Sequence, residues 1–152
     1  MGSDPWKAAT RYDPKIEVAL GRAQSEVFAR GEYGFTYKIT SIYEALGMPV
    51  PELPPEPRAS SIDEARQIAA ESGTSSVLDV YAVGPYPAPA VTGPFSARVL
   101  RRALGTDTPS LSQLEQGLGQ LYERLDRGFS AYIVCYEDGQ PRHVCFIGMS
   151  FD

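Results

Sequence analysis

The sequence predicts an α+β fold: a single domain over 1–152, with a small, mainly antiparallel sheet and three or four helices packed on it. Its 152 residues match the usual size of one domain. The hydrophobic fraction of 43% and the charged fraction of 22% are close to globular averages and argue against a disordered chain. The elements that predict this class are a C-terminal hairpin over 129–137 and 140–151 and helices over 14–29, 62–72, 97–104 and 109–127.

The first predicted helix, 14–29, follows a segment, 1–12, that we expect to be irregular. Asp13 is a good N-cap, and Pro14 suits the first helical position because its missing N–H would be unpaired there. Gly31 fits a left-handed C-cap. Four apolar residues recur at spacings of four, three and four, as on one face of a helix: Ile16, Leu20, Ala23 and Val27.

The segment after this helix has two interpretations. Phe35, Tyr37 and Ile39 alternate with smaller or polar residues, which is typical of a strand, whereas Ile42–Leu46 suits a short helix. The segment 48–58 then holds five prolines. It predicts an extended polyproline-II loop, because proline is excluded from helix interiors and central strands.

The second predicted helix, 62–72, has a capping box at its start. Ser61 is expected to accept the Glu64 amide N–H while the Glu64 side chain reaches back. Gly73 ends the helix. The apolar run Val77–Val83 then predicts a strand that is buried on both faces.

A second proline-rich loop is predicted over 84–95, and two further helices follow it. Ser96 caps the helix 97–104, and Thr108 with Pro109 repeats the pattern of a cap before a first-turn proline. Leucines at helical spacing mark the helix 109–127: Leu111, Leu114, Leu118, Leu121 and Leu125.

Two glycines, Gly117 and Gly119, interrupt this leucine-rich helix. Glycine in a helix interior costs stability relative to alanine. One explanation is close packing of another segment against the helix, and the other is tolerance on an exposed flank. The sequence leaves both explanations open.

The last segment is predicted to be a β-hairpin around the dipeptide Asp138-Gly139, which favours a two-residue type I′ turn. With that turn, Glu137 faces Gln140. Both faces of the hairpin then carry apolar residues, which indicates a sheet covered on both sides. One face presents Ala131, Ile133, Val144 and Phe146, and the other presents Tyr132, Val134, Cys145, Ile147 and Met149.

The same register separates the two cysteines. It places Cys135 opposite Arg142 and Cys145 opposite Tyr132, so the two thiols lie on opposite faces of the sheet. We therefore expect reduced, buried thiols rather than a disulfide.

Charge and composition exclude several classes of function. Lys+Arg number 14 and Asp+Glu 19, and the formal net charge of −5 argues against nucleic-acid binding. No apolar run is long enough to span a bilayer, so we expect a cytoplasmic protein with no membrane partner. A single histidine and two cysteines do not complete a tetrahedral zinc site, and we expect no metal or cofactor.

Two isolated polar residues are candidate site residues. Asp79 stands inside an apolar run, where a carboxylate needs a partner; an arginine of the same chain is the simplest, and a metal or a basic group of another protein is the alternative. His143 is placed on one face with Cys145. Their separation of about 7 Å along one strand is long for a base–nucleophile hydrogen bond, so we assign no catalytic residue.

A basic pair and two loop tyrosines complete the candidates for partner binding. Arg98 and Arg102 are four residues apart on one helix face and could grip a carboxylate or phosphate. Tyr81 and Tyr86 flank the second proline-rich loop, and tyrosine suits binding surfaces because it offers large contact area at low entropic cost. Packing of the loops is the alternative.

Elimination then favours a non-catalytic, cytoplasmic protein-binding domain. Small, acidic, single-domain inhibitors of bacterial toxin enzymes, such as immunity proteins and antitoxins, have similar bulk properties, and acidic charge steers such proteins to basic surfaces. The alternative is a small enzyme or a ligand-binding regulatory domain that uses Asp, Arg, Tyr or His side chains. The sequence leaves the oligomeric state open.

Overall fold

A computed structural model describes residues 4–55 and 58–151. In these ranges the chain forms five strands: β1 (Pro5–Arg11), β2 (Ala82–Val83), β3 (Val91–Pro94), β4 (Ser130–Glu137) and β5 (Gln140–Met149). Within the same ranges it forms five α-helices: α1 (Ile16–Arg30), α2 (Phe35–Ala45), α3 (Ile62–Ser72), α4 (Ala97–Leu104) and α5 (Leu111–Tyr122). A short 3-10 helix, Val77–Asp79, lies between α3 and β2.

The strands form one mixed sheet in the order β1-β5-β4-β3-β2. β5 pairs antiparallel with both β1 and β4, whereas β3 pairs parallel with both β4 and β2. α1 and α3 pack on one face of the sheet, and α5 with α4 packs on the other. The predicted α+β class is confirmed, and β1 and β2 are the edge strands.

β1 lies within residues 1–12, for which the prediction of an irregular segment was wrong. Trp6 and Ala8 pack against the core beneath α1, while Lys7 and Ala9 are exposed. The period of two is present in the sequence, but alanines on both faces give little hydrophobic contrast. Pairing with β5 therefore decides the conformation of this segment.

The predicted helices 62–72 and 97–104 are confirmed as α3 and α4, whereas α1 starts two residues later and ends one residue later than the predicted 14–29. Lys15 is the N-cap of α1, so the helix begins at Ile16. Asp13 Oδ1 accepts the Lys15 N–H at 2.8 Å and turns the chain just before the helix. Gly31, at φ 69°, ends α1 in the left-handed conformation as predicted.

Serine side chains cap both α3 and α5. Ser61 Oγ accepts the Glu64 N–H as predicted, but the Glu64 carboxylate accepts from Ser60 instead of completing the box on Ser61. At α5 a complete capping box joins Ser110 and Gln113. The cap therefore lies two residues after the predicted Thr108.

α5 also ends earlier than the predicted residue 127. After Tyr122 the chain tightens into 3-10 geometry, with Arg124 N donating to Leu121 O and Leu125 N to Tyr122 O. Leu125 remains buried in the core, which is why the leucine period continues past the end of the helix.

Both explanations for the α5 glycines apply, one to each residue. A Cβ on Gly117 would overlap the Leu104 side chain and come within 3.1 Å of the Ala103 carbonyl oxygen, so α4 packs closely there. Gly119 has nothing within 4 Å of the corresponding position.

Two predicted segments next to the sheet differ from the structure. Val77–Val83 begins as the 3-10 helix rather than as a strand, because Ser76 and Asp79 form a capping box around it. The predicted loop 84–95 contains β3. At Gly93 the backbone of Tyr86 crosses so closely that a Cβ would overlap it, and β3 is thereby held under the loop.

The hairpin forms around the predicted turn but carries an irregularity that shifts its register. Glu137 lies opposite Gln140 as predicted, and the register shifts by one residue between Cys135 and Tyr136. The Tyr136 N–H donates to the Pro109 carbonyl at 2.8 Å instead of to the neighbouring strand. The shift thus ties the hairpin to the loop before α5.

This shift exchanges the two faces of β5 relative to β4, since a one-residue slip moves the side chains of one strand to the opposite side. Cys135 lies opposite His143 and Cys145 opposite Ile133, each one residue from the predicted partner. The prediction that the thiols lie on opposite faces was wrong, although both cysteines are free. The face toward α5 carries Ala131, Ile133, Cys135, Cys145 and Ile147, and the face toward α1 carries Tyr132, Val144 and Phe146.

Candidate functional site

A large concave surface lies between α2 and β1. We call it the α2 groove, and its volume is about 1180 Å³. One wall is Pro5–Ala8 of β1, the opposite wall is α2, and the floor is Gly73–Val77. From α2 the groove is lined by Tyr37, Lys38, Ser41, Ile42 and Ala45.

α2 replaces the strand that the alternation of Phe35, Tyr37 and Ile39 suggested. None of its eleven residues is buried. Polar contacts hold it in place: Lys38 Nζ donates to the Gly73 carbonyl at 3.1 Å, and Thr36 Oγ1 donates to the Pro54 carbonyl at 3.0 Å. The helix is therefore attached to the domain without burying its own apolar side chains.

A row of apolar residues follows α2 along its exposed side. Phe35, Ile39, Ile42 and Leu46 are spaced by four, three and four, so they form one helical stripe. Phe35 is 50% exposed, Ile42 44% and Leu46 66%. Met48 and Val50, in the proline-rich loop that follows, are exposed as well. Ile39, within the stripe, is half-buried. Exposed apolar side chains grouped in this way are a feature of many interaction surfaces.

Three charged groups that line the groove have contacts within the domain. Lys7 pairs with Glu115 of α5, and Glu32 accepts from Arg30 at 2.6 Å. Lys38 donates to the Gly73 carbonyl, as described above.

The predicted site residues do not converge on this groove. Asp79 Oδ2 accepts the Ser76 N–H at 3.1 Å as part of the 3-10 capping box. Tyr81 is 66% exposed and stacks on the Arg66 guanidinium, whose carbon lies 4.4 Å from the ring centroid. Arg66 also donates to the Leu78 carbonyl at 2.7 Å. Arg66 thus lies beside this segment, bound to a carbonyl and to a tyrosine ring, and the arginine partner of Asp79 stays a prediction.

The other candidates are spread over the surface. Tyr86 is exposed in the loop that crosses β3. Arg98 and Arg102 share the exposed side of α4, on the opposite sheet face from α1. His143 is half-buried on β5 beside Arg11 of β1. Their role in partner binding stays a prediction.

The shifted register brings His143 directly opposite Cys135, closer than the sequence had suggested. Burial raises the pKa of the Cys135 thiol to about 11 and that of Cys145 to about 12. At neutral pH both thiols therefore keep their protons, and the thiolate needed of a nucleophile is not formed. Cys135 and Cys145 are both part of the core beneath α5.

Sequence reasoning missed the α2 groove because it weighed α2 partly as a strand. The stripe at 35, 39, 42 and 46 was the signal that could have revealed it. Within residues 4–55 and 58–151, no group of three His, Cys, Asp or Glu side chains could hold a metal ion. Over the same ranges, no helix is long and apolar enough to cross a membrane.

The chain is thus a single α+β domain with a partly apolar groove beside an edge strand. Comparison with protein-family models, curated proteins and solved structures finds no match to this chain.

Proposed function

We propose that this chain is a non-catalytic, cytoplasmic protein-binding domain that inhibits a bacterial toxin enzyme, in the manner of immunity proteins and antitoxins. The observation that carries the proposal is α2, an eleven-residue helix with no buried residue and an exposed apolar stripe. A helix gains most of its stability in a protein by burying such a stripe. A partner protein would bury the exposed apolar side chains of α2.

The size and openness of the α2 groove favour a protein over a small molecule. Its volume of about 1180 Å³ exceeds the roughly 300–1,000 Å³ of ordinary ligand pockets. Phe35, Leu46 and Met48, at the two ends of the helix that lines it, are exposed as well. A folded partner could cover this whole surface, whereas a metabolite would leave most of it exposed.

Net charge supports the choice of a toxic enzyme as the partner class. At −5, the chain attracts basic proteins such as nucleases from a distance and speeds their association. The apolar stripe would then supply the short-range affinity, since a few apolar anchors dominate most interfaces.

The test compares two matched surface variants. Ile42→Glu places a charge in the groove at a position that is 44% exposed, whereas Val18→Glu does so on α1 at 45% exposure, outside the groove residues. Tagged wild-type protein and both variants are used to capture proteins from the native cell. The captured protein is then purified, and its binding to each version and its enzymatic activity are measured.

We expect a one-to-one complex in which the partner's activity is blocked. Ile42→Glu should weaken that complex by about thirtyfold, the effect of losing a 2 kcal/mol hot spot, while Val18→Glu leaves it unchanged. Equal binding by both variants would overturn the role of the groove. Turnover of a metabolite by the purified protein alone would overturn the non-catalytic assignment.

A further inference from the structure

Within residues 4–55 and 58–151, no strand covers the outer edge of β1. The Ser150 N–H donates to the Asp4 carbonyl, and the Tyr12 N–H donates to the Arg142 carbonyl. These two bonds fix the phase of the antiparallel ladder, in which hydrogen-bonded pairs alternate. The even-numbered residues of β1 therefore bond to β5, while the backbone groups of Lys7 and Ala9 point away from the sheet.

The outer edge is accessible along most of its length. Lys7 and Ala9 are exposed, and their outward backbone groups have no hydrogen-bond partner in the part of the chain that the structure describes. Only at Arg11 is the outward carbonyl occupied, since Arg22 Nη1 donates to it at 2.9 Å. Four outward groups, the N–H and C=O of Lys7 and of Ala9, remain available to an added strand.

The charged side chains along this edge favour a binding segment of opposite charge. Lys7 and Arg11 lie on the same face of β1, four residues apart, and both are exposed. Glu115 already pairs with Lys7, which shows that a carboxylate fits beside this strand. If a second copy paired antiparallel about Ala9, Lys7 would face Arg11 of that copy, and like charges directly opposite are destabilising.

The same edge also borders the α2 groove. Pro5–Ala8 line the groove, and Trp6 and Ala8 point to the face on which α1 packs. In a strand added beside β1, residues opposite Lys7 and Arg11 would face the cations. The residue opposite Ala8, which lies between these two, and the residue opposite Trp6, just beyond them, would face the groove and Ile42.

We propose that β1 accepts an extended acidic segment of a partner protein as a sixth strand. The segment runs antiparallel, carries two acidic residues four positions apart against Lys7 and Arg11, and inserts an intervening apolar side chain into the α2 groove. The inference rests on the proposed function, because it names the part of the protein partner that this edge receives. The recognition mode is strand addition, in which backbone bonds give affinity and alternate side chains give specificity.

The probe is a displayed library of random twelve-residue peptides, selected on the immobilised full chain. We expect enrichment of peptides with Asp or Glu at positions i and i+4, opposite Arg11 and Lys7, and with apolar residues at i+3 and i+5, opposite Ala8 and Trp6. Enrichment of basic peptides, enrichment of helical spacing without this alternation, or no enrichment would each overturn the inference.

Two variants then locate the binding of a selected peptide. Ala9→Pro removes an outward N–H that β5 does not use, and should weaken binding by about tenfold, the effect of one lost hydrogen bond. Lys7→Glu/Arg11→Glu leaves the backbone unchanged and should switch the selection to basic peptides, which keeps the test decisive if Ala9→Pro misfolds. Val18→Glu is the control and should bind like the wild type.

The outcomes also separate this inference from the proposed function. If binding of a peptide or partner depended on Ile42 but not on Lys7, Ala9 or Arg11, the groove would still be a protein-binding site. The added strand would then be excluded. Slower hydrogen exchange of the Lys7 and Ala9 amides in the peptide complex would support the added strand directly.

Discussion

The indole ring of Trp6 lies directly on the Cα of Gly148, its register partner across β1 and β5. A Cβ at position 148 would overlap three atoms of the ring: Cζ2, Cε2 and Nε1. Glycine is thus required here so that the aromatic ring can cover the neighbouring strand. Because Trp6 also lines the α2 groove, this contact sets the shape of the groove wall.

Gly148→Ala should therefore lower the free energy of unfolding by about 1–3 kcal/mol, the usual cost of overpacking. Urea denaturation followed by tryptophan fluorescence measures the change, since Trp6 is the sole tryptophan. Adding Trp6→Leu should recover part of the loss, because the smaller side chain relieves the overlap; circular dichroism follows that double variant. Wild-type stability in Gly148→Ala would contradict the contact.

The glycines of α5 provide an internally matched pair. Gly119→Ala should raise the free energy of unfolding by up to about 1 kcal/mol, because it adds helix propensity in open space. Gly117→Ala should lower it, because the new methyl group pushes against Leu104 and the Ala103 carbonyl. Chemical denaturation of both variants checks the pair. A gain in both would mean that α4 does not pack closely on α5.

Thr92 and Thr10 are both buried but differ in hydrogen bonding. Thr92 Oγ1 has no partner within the described residues, whereas Thr10 Oγ1 donates to Glu26 at 2.7 Å. Thr92→Val should therefore stabilise the fold by about 1 kcal/mol, and Thr10→Val should destabilise it by about 1–3 kcal/mol. Thermal unfolding at fixed pH measures both. A loss in Thr92→Val would show that its hydroxyl is satisfied, for example by a bound water.

The buried thiols predict a loss of stability at alkaline pH. In the folded chain the pKa of Cys135 is raised to about 11 and that of Cys145 to about 12, whereas an unfolded thiol titrates at about 8.5. Below about pH 8 both states hold these protons, so the thiols add no pH dependence. Above it the unfolded state binds fewer protons than the folded state, and the free energy of unfolding falls as pH rises.

Denaturation between pH 7 and 10.5 should record this decline. The double variant Cys135→Ala/Cys145→Ala should show a shallower one, with a residual part from Tyr122, whose pKa burial raises to about 12. An identical pH dependence in the double variant would exclude the thiols as its origin. A thiol reagent at pH 8 should react with the wild type only after unfolding.

α2 should open locally before the rest of the domain. With no buried residue in α2, its amides are expected to exchange faster than those of α5, where Leu114, Leu118 and Leu121 are buried. Hydrogen exchange followed by mass spectrometry resolves the two helices. Equal protection of the α2 and α5 amides from exchange would contradict the observation that α2 buries none of its residues.

Helices with both a cap and a one-sided apolar period were predictable from the sequence. α3 and α4 have serine caps, an amphipathic repeat and a terminal glycine, and these local signals agree. For α2 the signals conflict, because Phe35, Tyr37 and Ile39 fit a period of two while Phe35, Ile39 and Ile42 fit a helix. A helix that buries little gives no strong hydrophobic contrast to decide between the two.

The register of the hairpin is not determined by neighbouring residues alone. The turn at Asp138-Gly139 is local, so its position was predictable. The register shift depends on a bond from Tyr136 to Pro109, a residue in a distant segment whose position only the folded chain fixes. The register shift at this bond determines that Cys135 and Cys145 lie on the same face of the sheet. For the α2 groove, the apolar stripe of α2 was visible in the sequence, but the position of β1 along the groove depends on the folded chain.

The position of β1 beside β5 has a consequence for the order of synthesis. The hydrogen bond from Asp4 N to Ser150 Oγ joins residues 146 positions apart, so β1 leaves the ribosome long before its strand partner exists. Closing so large a loop is among the slow steps of folding. The outer edge of β1 therefore becomes a rigid template only after β5 has been translated, and a nascent chain without β5 would present no ordered edge to a partner.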